Sequence, residues 1–298
     1  NPIPKDPGDD TYTGGDGADQ FHIGSGNDTV TDLAGSDALF VYQSGDVSAT
    51  VTADYTATSA TKNSGTATLN VGDGFDVDLS SVSSGDSGFT IDASGNTSAS
   101  TLTGSHFDDD IIGGVSGDVI TGGSGSDTID AGAGDDTLIY ADGADLSGDA
   151  SVDGGAGTDT IRFTSATANV DDEDFANVSG DSIQAIELSG DADTNLALGA
   201  SGDAATSSLT ITGADQTAAG SGDTIDFSGM TEAVEINAGS GDDTITGGSG
   251  SDTITGGAGA DDLAGGSGDD TFVFASGDVA VGETLTDSAG TTILSTAG

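Results

Sequence analysis

One nine-residue period organises this chain. From Ala238 it runs without insertion as AGSGDDTIT (238–246), GGSGSDTIT (247–255), GGAGADDLA (256–264) and GGSGDDTFV (265–273). A second run reads GSHFDDDII (104–112), GGVSGDVIT (113–121), GGSGSDTID (122–130) and AGAGDDTLI (131–139), and a further copy, GGAGTDTIR, lies at 154–162. A third holds GGDGADQFH (14–22) and IGSGNDTVT (23–31), flanked by the weaker copies KDPGDDTYT (5–13) and DLAGSDALF (32–40). A nonapeptide cannot bury its apolar side chain alone, so a sustained period of nine implies units that stack on one another. An acidic linker of similar composition would show no such period.

Each position has a physical reading. The glycines permit positive φ and a close approach of backbone to an ion. The first six residues therefore read as a turn whose carbonyls point inward. The Asp in sixth place adds a hard anionic oxygen, which suits Ca²⁺. The last three residues read as a short strand with one apolar side chain facing a core. The expected class is all-β, a parallel β-roll or β-solenoid.

Charge supports the same reading. The chain of 298 residues carries 52 acidic residues against three basic ones, Lys5, Lys62 and Arg162, for a formal charge of −49. Its only glutamates are Glu173, Glu187, Glu232, Glu235 and Glu283. Asp, unlike Glu, is favoured in turns beside Gly. Nothing here could neutralise phosphates, which excludes nucleic acid as a partner. No apolar run approaches the ~20 residues of a membrane span, so no direct membrane insertion is expected. Cys is absent, and disulfides cannot staple the fold. The opening NPIPKDP has neither the basic start nor the apolar core of a signal peptide.

The repeats resemble the RTX family of calcium-binding repeats, found in type-I-secreted bacterial toxins, proteases, adhesins and surface-layer proteins. The resemblance covers about half of the chain, and runs of four unbroken copies make it specific. It implies that two nonapeptides form one coil, that each loop stacks on the loop two repeats later, and that Ca²⁺ sits between them. Asp243 then faces Asp261, and Asp252 faces Asp270. Asp109 faces Asp127, Asp118 faces Asp136, Asp10 faces Asp28, and Asp19 faces Asp37; Asp159 belongs to the separate copy. Carbonyl ligands are expected from the same loops, at Gly14, Gly122, Gly247, Ser249, Ser251, Gly256, Ala258 and Gly265. The expected load is about six or more ions, each with six to eight oxygens.

The expected organisation is an N-terminal ion-binding block (1–40), a Thr/Ser/Val-rich β segment (41–103), a middle block (104–162), a metal-poor β-solenoid (163–237) and a C-terminal block with exit strands (238–298). In 163–237 the pairs Ile186/Leu188, Leu196/Leu198, Leu209/Ile211, Ile225/Phe227 and Val234/Ile236 read as x-U-x-U strands, U being apolar, that continue the coil by apolar burial alone. Segment 41–103 alternates as strands do, either as projecting hairpins or as larger coils. DDEDFANV (171–178) is the best candidate for a helical turn. FVYQSGDV (40–47), LIYADGADLSGD (138–149) and FVFASGDV (272–279) each follow a block, which suggests a modular plan. The final ILSTAG has no obvious polar cap, as in a fragment or a protomer that stacks on others.

Catalytic chemistry is not expected. His22 and His106 belong to no metal or base motif, no G-x-S-x-G nucleophile turn is present, and the four tyrosines suggest no stacking platform. Paired carboxylates occur throughout, which favours ions over acid–base work. Lys5, Lys62 and Arg162 are isolated and expected in local ion pairs. The expected function is an extracellular calcium-dependent scaffold of the surface-layer, filament or adhesin-stalk kind, exported by type I secretion. Its partners would be calcium, further copies of itself or flanking domains. The alternative is a calcium-binding module of a larger secreted enzyme, toxin or adhesin.

Overall fold

The computed structural model describes residues 2–3, 8–165, 169–179, 182–189, 194–199, 209–213, 222–274, 282–288, 290 and 293–296. It divides into two compact units. One comprises Asn1–Leu138 with Gly148–Gly157, and the other Ile139–Ser147 with Thr158–Gly298. Each is a β-solenoid of short parallel strands.

In the first unit, Thr66–Val71, Thr90–Asp92, Asp110–Ile112, Thr128–Asp130 and Ser151–Asp153 stack in parallel register. The register places Leu69, Ile91, Ile111, Ile129 and Val152 in one buried file. A second file holds Val77, Leu102, Ile120 and Leu138. The second unit repeats the plan with Ile161, Ile186, Ile211, Ile236, Ile254 and Phe272. Opposite them run Val170, Leu196, Ile225, Ile245 and Leu263. Three-residue strands give one such side chain and longer ones two or more, as Ile161 and Phe163 do, because every second residue faces the core. Burying each contributes about 1.5–3 kcal/mol.

Coil length separates two kinds of turn. Register partners lie 18 residues apart where glycine repeats supply the turns, as in Ile245↔Leu263 and Ile111↔Ile129. They lie 25 apart in Ile161↔Ile186↔Ile211↔Ile236. All five apolar pairs expected in 163–237 are buried. Segment 41–103 builds larger coils, not hairpins: Gly45–Thr56 pairs in parallel with both Gly26–Gly35 and Thr66–Val71. The expected helical turn is a 3-10 helix, Asp172–Phe175. A short α-helix, Gly143–Leu146, was not anticipated, and the Asp142 side chain caps it by accepting the Asp145 N–H at 3.2 Å. That cap follows from an Asp in extended backbone one residue before the helix.

Where the turns lack glycine loops, buried neutral side chains join exposed carboxylates such as Asp73 in tying coil to coil. Asn63 is fully buried; its Oδ1 accepts the Gly65 N–H at 3.0 Å and its Nδ2 donates to the Gly88 carbonyl one coil later. Asn96 donates to the Gly72 carbonyl at 3.2 Å and to Ser100 Oγ at 3.2 Å. Asn63→Ala is expected to lower unfolding free energy by about 1–3 kcal/mol, because backbone groups near it lose their partner. Urea titration in saturating calcium measures this, with the slope unchanged.

Candidate metal centre

The glycine turns carry the sixth-position carboxylates to the ends of the strands. Asp28, Asp37, Asp109, Asp118, Asp127, Asp136, Asp159, Asp243, Asp252, Asp261 and Asp270 are buried there, while Asp10 and Asp19 are half-buried. One bond recurs. The backbone N–H of an Asp donates to Oδ1 of the Asp 18 residues later: Asp10 to Asp28 at 3.0 Å, Asp19 to Asp37 at 2.9 Å and Asp109 to Asp127 at 2.8 Å. Asp118 donates to Asp136 at 2.6 Å, Asp243 to Asp261 at 3.0 Å and Asp252 to Asp270 at 3.0 Å. The structure thus brings together each of the six pairs. Asp159 donates instead to Gln184 Oε1 at 2.7 Å.

The second carboxylate oxygen shows what such a site can hold. Oδ2 of Asp28, Asp127, Asp243 and Asp270 is buried with no hydrogen-bond partner. A buried anionic oxygen without a partner is costly, and a hard cation relieves the cost. First-position glycines press against these groups. A Cβ on Gly14, Gly122, Gly247, Gly256 or Gly265 would run into Oδ2 of Asp19, Asp127, Asp252, Asp261 or Asp270 respectively. Among the described residues, no three His, Asp or Glu side chains gather into a metal-binding group. The Ala258 carbonyl already accepts the Gly241 N–H at 2.8 Å, the Ser249 N–H donates to the Met230 carbonyl at 3.0 Å, and Ser251 Oγ accepts the Asp269 N–H at 3.3 Å.

A second, exposed ladder runs the opposite way. Fifth-position carboxylates accept from the coil that follows: Asp9 from Asn27 N–H at 2.9 Å, Asp108 from Ser126 at 2.9 Å and Asp242 from Ala260 at 3.0 Å. The doubled Asp of the repeat thus reaches backward with one residue and forward with the other.

Three members of the buried ladder escaped the nonapeptide reading. Asp149 accepts the Asp127 N–H at 3.0 Å across a longer coil. Asp223 accepts the Thr194 N–H at 2.9 Å and donates its own N–H to Asp243 at 2.7 Å. Gln184 is the third. The tripeptide Ser-Gly-Asp before a strand, at 147–149 and 221–223, was the signal available for the two aspartates. One expected loop is altered: the degenerate copy that opens with Asp32-Leu33 lacks the Gly pair, and strand Gly26–Gly35 runs through it to pair with Gly45–Thr56.

The remaining polar candidates are local. His106 Nδ1 lies 3.0 Å from the Val82 carbonyl. His22 stacks on Phe40 with centroids 4.4 Å apart and bonds Tyr42 Oη through Nδ1 at 2.9 Å. Lys62 lies over the Tyr42 ring at 4.8 Å, so aromatic stacking and a cation–π contact replace the ion pair expected of Lys62. Arg162 pairs with Glu187 at 2.7 Å, and Lys5 lies outside the described residues.

Burial raises the carboxyl pKa of Asp28, Asp37, Asp109 and Asp252, against the lowering effect of their backbone hydrogen bonds. Asp127 and Asp243 are pushed up to about 7, by desolvation first, with neighbouring carboxylates adding to it. Protons and a divalent cation would compete for these oxygens.

Four segments, residues 6–21, 22–42, 112–146 and 237–272, match the RTX calcium-binding nonapeptide repeat. No curated protein matches the chain.

The sign of the pH response follows from those shifts. A folded-state pKa above the unfolded value stabilises the metal-free fold fully below about 4, and that contribution is lost as pH rises through about 7. Calcium-free protein should therefore gain β signal in circular dichroism as pH falls from about 8 to 5, while calcium affinity falls over the same window. Asp127→Asn with Asp243→Asn should flatten both trends.

Proposed function

We propose that this RTX-type calcium-binding repeat protein is an extracellular scaffold of the surface-layer, filament or adhesin-stalk kind, whose β-solenoid forms when it meets external calcium. One observation carries the reading. Carboxylate oxygens of Asp28, Asp127, Asp243 and Asp270 are buried without hydrogen-bond partners, in a chain with 52 acidic and three basic residues. Without cations the chain repels itself, and the narrow core of its short strands is thin compensation. Calcium supplies the missing positive charge between loops, so that binding and folding become one event. Oxygen-only sites of flexible geometry favour Ca²⁺ over the smaller, octahedral Mg²⁺.

The ligands would be drawn from the Asp ladder, within the expected set from Asp10 to Asp270, and from the carbonyls of its glycine loops. Low cytosolic calcium would keep the chain unfolded and exportable; higher calcium outside would fold it. About six ions would leave a charge of roughly −37, so side-by-side association calls for further bound cations or high salt. The same chemistry serves a calcium-folded module of a longer secreted enzyme, toxin or adhesin.

Far-UV circular dichroism tests the folding claim. Excess EGTA at low salt should abolish the β signal, calcium should restore it and equimolar magnesium should not; a native spectrum in EGTA would refute it. Electron microscopy of calcium-loaded protein separates the two roles. Ordered layers or fibres are expected of a scaffold, whereas dispersed monomers at high calcium and salt would favour the module.

A further inference from the structure

The hexapeptide GGSGSD occurs at 122–127 and again at 247–252, and it folds in two ways. At 122–127 the loop is open. Gly123 and Gly125 take φ of 108° and 137°, and Oδ2 of Asp127 is left buried without a partner. At 247–252 the loop is closed. Gly248 and Gly250 stay out of the left-handed region, and the Gly248 N–H turns inward to donate to Oδ2 of Asp252 at 2.9 Å.

The coils beneath these two loops differ. In both loops the third residue donates its N–H to the preceding coil. Ser124 donates to the Ser105 carbonyl of another repeat loop, whereas Ser249 donates to the Met230 carbonyl of a turn without repeats. Two more loops rest on such turns, through His106 on Val82 and Val115 on Asn96, and both are closed. Oδ2 of Asp109 accepts the Ser105 N–H at 2.5 Å, and Oδ2 of Asp118 accepts the Gly114 N–H at 2.7 Å. Loops resting on repeat loops are open: Ala133 on Gly114, Ala258 on Gly239 and Ser267 on Gly248 go with φ of 99°, 101° and 93° at Gly132, Gly257 and Gly266. The loop that lost its Gly pair closes as well, its Asp37 Oδ2 accepting the Ala34 N–H at 3.0 Å.

We propose that Asp37, Asp109, Asp118 and Asp252 are hydrogen-bonded caps that ligate no calcium, and that ions enter only at the open loops. This rests on the calcium reading given above and divides its carboxylates into two classes. A cap has both oxygens occupied by N–H donors: one from the coil before, as Phe89, Ser100 and Val234 donate to Asp109, Asp118 and Asp252, and one from its own loop. It needs no cation. The three caps that rest on turns without repeats carry the register of a metal-poor coil into the ion-bearing block, so the first metal-dependent loop finds a formed platform.

Calcium stoichiometry of the full chain, by equilibrium dialysis with elemental analysis, tests the division. Asp127→Asn and Asp270→Asn should each lose one ion. Asp37→Asn, Asp109→Asn, Asp118→Asn and Asp252→Asn should keep the parent count with a lowered melting temperature. Loss of an ion in any of these four, or retention of the full count in Asp127→Asn, overturns the proposal. A parent chain that binds no calcium sinks the calcium reading itself. Amide exchange of the calcium-loaded parent needs no variant: Gly114 and Gly248 N–H should be protected, and free exchange there also overturns the caps.

Discussion

A backbone N–H donating to the carboxylate of an Asp one coil later is the interaction on which the glycine-loop regions depend. It fixes the axial step, because the donor and acceptor residues must sit one above the other at the strand ends. It consumes one oxygen of each carboxylate, which decides what remains for an ion. It also places a negative charge in a buried position, where the charge is tolerable only with N–H donors, a proton or a cation beside it. The thin files of Ile, Leu and Val then need only to fill the space that this step defines.

Charge and amide chemistry solve the same problem in different coils. In 41–103 the buried inter-coil ties are Asn63 and Asn96, of which Asn63 both donates and accepts, while exposed Asp73 and Asp76 accept backbone N–H groups of the following coil. A neutral amide satisfies both partners at once but fixes a longer turn, and the coils there are correspondingly larger. Carboxylates tie the 18-residue coils with shorter turns, at the cost of requiring counter-charge. The alternation along the chain is thus one between coils with buried amide ties and coils whose buried carboxylates call for counter-charge.

Much of this was legible in the residues. The nine-residue period specified strands and loops, the resemblance to RTX repeats implied the 18-residue step, and the x-U-x-U pairs in 163–237 specified the continuing coil. What escaped was set by neighbours in space. Asp149 and Asp223 lie off the period, and only the coil they complete shows them to be part of the ladder. Tyr42 joins His22, Phe40 and Lys62 because parallel pairing brings strands Gln20–Ile23, Ala38–Val41 and Lys62–Asn63 side by side. The two folds of GGSGSD are the clearest case, since no local pattern can distinguish identical hexapeptides. What differs is the coil on which each rests.

The register also constrains how such a chain can change length over generations. Partners such as Thr244 and Asp262 are two nonapeptides apart, so successive copies alternate between two files of strands. Duplication of a single nonapeptide would move every later strand to the opposite file and set its turn on the wrong neighbour. Duplication of two would slide the remainder up by one whole coil and leave each contact as it was. Growth by pairs, inserted between one open loop and another, is therefore the variation that this architecture absorbs most readily.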